Sequence, residues 1–117
     1  MIKDSDLRFG NLLEYGDGFI SVDINVLRDL NVYLRNGLKP IPLTEELLLK
    51  AGFKKDKYRM SDLIYFEKGD ITIDLNTDGI FKLHIGTVFI KNIHFVHKLQ
   101  NFYFEYEGSE LVFSNKP

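Results

Sequence analysis

Ile71-Thr72-Ile73-Asp74-Leu75-Asn76-Thr77-Asp78-Gly79-Ile80-Phe81-Lys82-Leu83-His84-Ile85 alternates apolar and polar residues on both sides of a turn, and this alternation decides the fold class. A period of two sends Ile71, Ile73 and Leu75, then Phe81, Leu83 and Ile85, to one face of a sheet. Thr72, Asp74, Lys82 and His84 go to the other. Asn76, Asp78 and Gly79 supply turn chemistry between the two runs. Gly69-Asp70 and Gly86-Thr87 bracket the pair with further turns, so strands are expected near 63–68, 71–75, 80–85 and 88–91. The pattern is that of an antiparallel β-meander covered on one side.

Upstream, Gly16-Asp17-Gly18 separates Leu12 to Tyr15 from Phe19 to Val22 and predicts a β-hairpin. Asp23 can cap a helix carrying Val26, Leu27, Leu30, Tyr33 and Leu34 as far as Asn36-Gly37. Pro40-Ile41-Pro42 imposes extended backbone. A second helix is expected over 44–51: Thr44 can cap it, Glu45 and Glu46 suit its positive end, and Leu43 and Leu48 form a hydrophobic staple. Gly52 is placed for a left-handed terminator, with Phe53 folding back on Leu48. Downstream, Asn92 can cap a last helix of about four turns, ended by Gly108 before a short strand over Leu111 to Phe113. The fold class is α+β: a meander with an N-terminal hairpin, a short central helix and a longer C-terminal helix packed on the sheet.

Composition narrows the function classes. The chain has 117 residues, 44% hydrophobic and 27% charged, which suits a single domain over 1–117. No apolar run has membrane-spanning length, and Met1-Ile2-Lys3-Asp4-Ser5-Asp6 is too polar for a signal peptide, so a cytoplasmic protein is expected. The absence of cysteine excludes disulfides, thiolate metal sites and cysteine nucleophiles. A net charge of −2 is far from the basic balance that drives unspecific phosphate binding.

Asp74-Leu75-Asn76-Thr77-Asp78-Gly79 matches the opening of an EF-hand loop, but the twelfth position is Ile85 where a bidentate Glu should close the shell. A hairpin turn explains the same residues. His94 and His97, three apart on the last helix, could share a metal but lack co-ligands. No nucleophile elbow, phosphate-binding glycine loop or zincin helix is present, and neither an enzyme nor a cofactor is expected.

Two surfaces remain. Lys50, Lys54, Lys55, Lys57, Tyr58 and Arg59 mix cations with a ring as single-stranded nucleic-acid sites do, or they solubilise a polar turn after a helix end. On the last helix Phe95, Val96, Leu99, Phe102, Tyr103 and Tyr106 form a broad apolar arc that Ile93 and Phe104 extend, opposite His94, His97, Lys98, Asn101 and Glu105. Either the first hairpin or the Pro40 to Leu43 segment covers the rest of the arc, or its edge, through Ile93, Phe95, Phe104 and Tyr106, meets a partner.

Leu7-Arg8-Phe9-Gly10-Asn11-Leu12, the stretch from Pro40 to Phe53, and Val96-His97-Lys98-Leu99-Gln100-Asn101-Phe102-Tyr103-Phe104 followed by Gly108-Ser109-Glu110-Leu111 carry a resemblance. They resemble a family of small uncharacterised proteins from phages, prophages and mobile elements of Bacteroidetes bacteria, with departures at Lys98 and around Tyr106 and Glu107. The resemblance implies a phage setting and, by analogy, a binding protein such as an anti-CRISPR inhibitor of a host defence effector. The expected partner is therefore a host protein or ribonucleoprotein, with RNA or single-stranded nucleic acid as the alternative.

Overall fold

The computed structural model describes residues 6–58 and 63–114, and Arg59 lies outside them. In chain order the elements are β1 (Leu12–Tyr15), β2 (Gly18–Ser21), α1 (Ile24–Arg28), α2 (Leu30–Arg35), α3 (Glu45–Lys50), β3 (Lys54–Lys57), β4 (Ile64–Lys68), β5 (Ile71–Leu75), β6 (Phe81–Ile85), β7 (Val88–Ile93) and α4 (Val96–Glu107). They form a two-stranded hairpin, a five-stranded antiparallel sheet and helices, an α+β protein. The chain divides into two compact units: residues 1–42 with 95–110, and residues 43–94 with 111–117.

In the first unit β1 and β2 pair with Tyr15 opposite Gly18, so the turn is two residues long and Gly16 takes φ +61°. A positive φ at the first turn residue matches the right-handed twist of the strands. Glu14 and Lys39 exchange backbone hydrogen bonds and extend the hairpin by one bridge. The Asp23 carboxylate accepts from Val26 N at 3.0 Å and caps α1. The helix expected through Leu34 is broken in two at Asp29, where φ −110° and ψ 30° leave helical geometry. Asn25, Asp29 and Asn31 all carry short polar side chains that compete for backbone groups, so the segment has weak helical preference. Leu13, Val22, Val26 and Leu38 form the buried core here, ringed by Leu7, Tyr15, Ile20, Leu27, Leu30, Tyr33 and Leu34.

In the second unit the sheet order is β3-β4-β5-β6-β7, every neighbour antiparallel. Phe66, Ile71, Ile73, Phe81 and Leu83 are buried on one face, as the alternation requires. Thr44 Oγ1 accepts from Leu47 N, and α3 ends as expected: Gly52 has φ +92°, Gly52 N donates to Leu49 O and Phe53 N donates to Leu48 O. Those two bonds define a Schellman termination. β3 stands where a polar turn was expected. Its Lys-Lys-Asp-Lys sequence shows no apolar alternation because it is an edge strand, and Lys55 turns to α3 to pair with Glu45 at 2.8 Å. Leu111 to Phe113 forms no strand. That stretch runs without ladder partners, and Ser114 N donates to Lys50 O at 2.7 Å.

Candidate partner-binding surface

Helix α4 begins at Val96 with Phe95 as its N-cap residue, three positions later than the cap expected at Asn92. Asn92 instead remains in β7, paired with Lys82, because the ladder continues to Ile93 opposite Phe81. Gly108 ends the helix at φ +77°. Its first two turns are anchored against the segment before β1 by a polar network. Gln100 Oε1 accepts from Leu12 N at 2.8 Å, and Gln100 Nε2 donates to Gly10 O at 3.2 Å. Asn11, fully buried, accepts from Arg8 N at 2.6 Å and donates to Asn101 Oδ1 at 2.8 Å. Asn101 Nδ2 donates to Asp6 O at 2.9 Å.

This network revises the expected helix faces. His97, Gln100 and Asn101 were assigned outward or left out of the arc, yet His97 and Gln100 are buried beside Val96 and Leu99. The neighbouring wall presents backbone groups, Leu12 N and Gly10 O, as well as apolar side chains, and N–H and C=O groups shielded from water demand polar partners. Burial pushes the His97 imidazole below its usual pKa. Lys98 adds to that shift and Asp6 opposes it. Among the described residues its Nδ1 has no hydrogen-bond partner.

At the far end of α4 the rings meet solvent. Phe104 is 38% exposed and Tyr106 43%, while Leu99 on the same helix is 0% exposed. Phe102 and Tyr106 stack in parallel with centroids 5.9 Å apart. The Arg8 guanidinium lies 4.3 Å from the Phe104 centroid and binds both oxygens of Glu110. Its remaining donors reach Asn101 Oδ1, Phe9 O and Gln100 O at 3.2 to 3.3 Å. All five N–H groups of an arginine are thereby engaged, which fixes the guanidinium and the ring beneath it. Phe9, next to Arg8, is also exposed.

The four residues expected at a partner surface thus separate. Phe104 and Tyr106 are exposed near the end of α4. Phe95 is half-buried at its start, stacked on His97 at 6.0 Å and bridged to Pro42. Ile93 belongs to β7 and is 1% exposed, which removes it from any surface in this structure. Arg8 and Glu110 were not selected by the helical-wheel argument. They lie in Leu7 to Leu12 and Gly108 to Leu111, and no period or wheel in the sequence links those two stretches to the helix edge.

The described lysines of the basic stretch are divided between α3 and β3. Lys50 pairs with Glu46 at 3.1 Å on α3, and Lys55 points to Glu45. Lys54 and Lys57 stand on the exposed strand β3. Tyr58 packs on Tyr65 with tilted rings, centroids 4.5 Å apart, and donates to Asp74 Oδ1 at 2.6 Å. Its phenol is pushed up to about 12 by burial first and by the Asp74 carboxylate second. Asp74 Oδ2 also lies 3.1 Å from His84 Nε2, without hydrogen-bond alignment.

The calcium-like loop is the β5–β6 turn. Asp78 Oδ1 accepts from Ile80 N, and Gly79 N donates to Asn76 O. Those groups serve the turn's own backbone. Among the described residues no three histidine or acidic side chains assemble as a metal cage, and no helix is long and apolar enough to cross a membrane. No protein-family model, curated protein or solved structure matches the chain.

Proposed function

We propose that this protein is a non-enzymatic module that binds a protein partner through the exposed end of α4. The observation that carries the reading is the split along one helix: Leu99 is sealed while Phe104 and Tyr106, one to two turns further on, are open. Phe104 is also held in place by Arg8 before any partner arrives. Aromatic rings backed by arginine are the usual anchors of protein interfaces, and preorganisation lowers the entropic cost of using them. The resemblance to phage-borne proteins makes a host defence effector, including a CRISPR ribonucleoprotein, the partner class to test first. The ion pairs of Lys50 and Lys55 weigh against phosphate binding by the basic stretch.

The experiment is affinity capture from host extract with the native chain and with Phe104→Ala/Tyr106→Ala, across a salt series and with nuclease. A defined host protein should be retained by the native chain through physiological salt and lost from the double variant. Retention that ignores both rings, or that disappears with salt and nuclease, would favour the nucleic-acid alternative or another face.

A further inference from the structure

The two edges of the five-stranded sheet differ in kind. At one edge β3 reads Lys54-Lys55-Asp56-Lys57, all exposed, and a lysine-rich edge discourages strand pairing. At the other edge β7 opens with Val88, Phe89 and Ile90, which are 62%, 51% and 41% exposed. Among the described residues β7 has a ladder partner on one side only, β6. Beyond its end the chain is held again, with Leu43 N donating to His94 O at 2.9 Å.

Three successive apolar residues reach solvent at this edge, and the register slips beside them. Leu83 pairs with Lys91 and His84 with Phe89, so Ile90 is the extra residue of a bulge. The slip breaks the inward-outward alternation at Phe89 and Ile90, and with Val88 these residues make an apolar strip on the β7 edge, whereas the β3 edge is charged.

We infer that β7 pairs antiparallel with β7 of a second copy of this chain, about a two-fold axis at Phe89 or Ile90. With Phe89 on the axis, Val88 lies opposite Ile90. With Ile90 on the axis, Phe89 lies opposite Lys91, a ring against a lysine stem. Lys91 is the one charged residue of β7, and an antiparallel two-fold sets the two copies of Lys91 on opposite sides of the axis. No like charges oppose each other. Pairing of β7 with β3 would instead lay an apolar strip on a lysine-rich strand. The self-complementary solution is closed, because both outer edges of the joined sheets are then β3, and β3 halts further addition. The inference does not rest on the reading of the α4 surface.

Sedimentation equilibrium of the full chain tests it. The mass should rise from the 13.6 kDa monomer towards twice that value with concentration and stop there. Ile90→Lys should weaken the association by about tenfold or more, and Lys54→Glu should leave it unchanged. Because the chain has no cysteine, Phe89→Cys and Ile90→Cys provide a second readout: mild oxidation should give a disulfide-linked dimer with one of them and none with Lys54→Cys. A single monomer at every concentration, a dimer indifferent to Ile90→Lys, open-ended polymers, or cross-linking at neither cysteine would each overturn the inference.

Discussion

Arg8 and Phe104 are stacked, guanidinium carbon over ring at 4.3 Å, while the same guanidinium clasps Glu110 and three carbonyl or amide oxygens. Residues 96 positions apart in sequence are thereby locked into one surface element, and the geometry demands arginine. A planar fork can satisfy five acceptors at fixed angles, whereas an ammonium offers three rotatable donors.

Arg8→Lys should therefore lower stability by about 1 to 3 kcal/mol, since acceptors at a partly buried site lose charge-assisted bonds. Urea denaturation measures this directly. A midpoint equal to the native one would mean that the charge on Glu110 alone matters and that the fork does not hold the segment.

The end of α3 makes a second prediction. Gly52 has φ +92°, and a Cβ there would stand 2.6 Å from Lys68 Nζ, which donates to Ala51 O at 3.1 Å. Gly52→Val should cost roughly 1 kcal/mol or more, chiefly from the left-handed backbone, because a lysine tip can swing away. Lys68→Met, which removes a helix-end donor without touching the backbone, should cost less. An order reversed between the two variants in chemical denaturation would place the strain in the contact and not in the dihedral.

His97 gives a pH dependence with a definite sign. Its imidazole is held neutral by burial, so its pKa is lower in the folded state than the ordinary 6.5. Between those two values the unfolded chain binds more protons, and stability rises with pH. The His97 contribution is whole above pH 6.5 and is lost as pH falls from there through the folded value. His97→Leu should flatten this part of the curve. Denaturation midpoints at pH 7.5, 6 and 5 for both chains isolate the effect from that of the carboxylates, and parallel curves would show that His97 does not titrate on unfolding.

Much of this fold is legible in the residues, and the exceptions have physical causes. The Ile-Thr-Ile-Asp-Leu alternation and the Gly-Asp and Gly-Thr turns fix β4 to β7, because side-chain period and positive φ are local properties. Thr44, Leu48 and Gly52 mark α3 for the same reason. β3 was invisible because an edge strand guarded by Lys54, Lys55 and Lys57 carries no apolar rhythm. The start of α4 was misjudged because Asn92 suits an N-cap, while the ladder that retains it in β7 is a long-range bond. His97 was read as solvent-facing and Gln100 was given no place on either face, because a helical wheel knows nothing of a backbone neighbour that needs donors and acceptors. For the candidate surface, Phe104 and Tyr106 were visible as the edge of an arc. Arg8 and Glu110, which organise that edge, are joined to it only in three dimensions.

The claim that α4 is core at one end and interface at the other is tested by a pair of truncations measured together. Leu99→Ala removes a fully buried side chain and should cost about 2 to 5 kcal/mol in chemical denaturation. Phe104→Ala gives up only a stacked cation and an exposed ring, about 1 kcal/mol, and should keep a near-native midpoint while losing capture of the host partner. Equal destabilisation by both variants would make the whole helix core, and a Phe104→Ala chain that folds and still holds the partner would place the interface elsewhere.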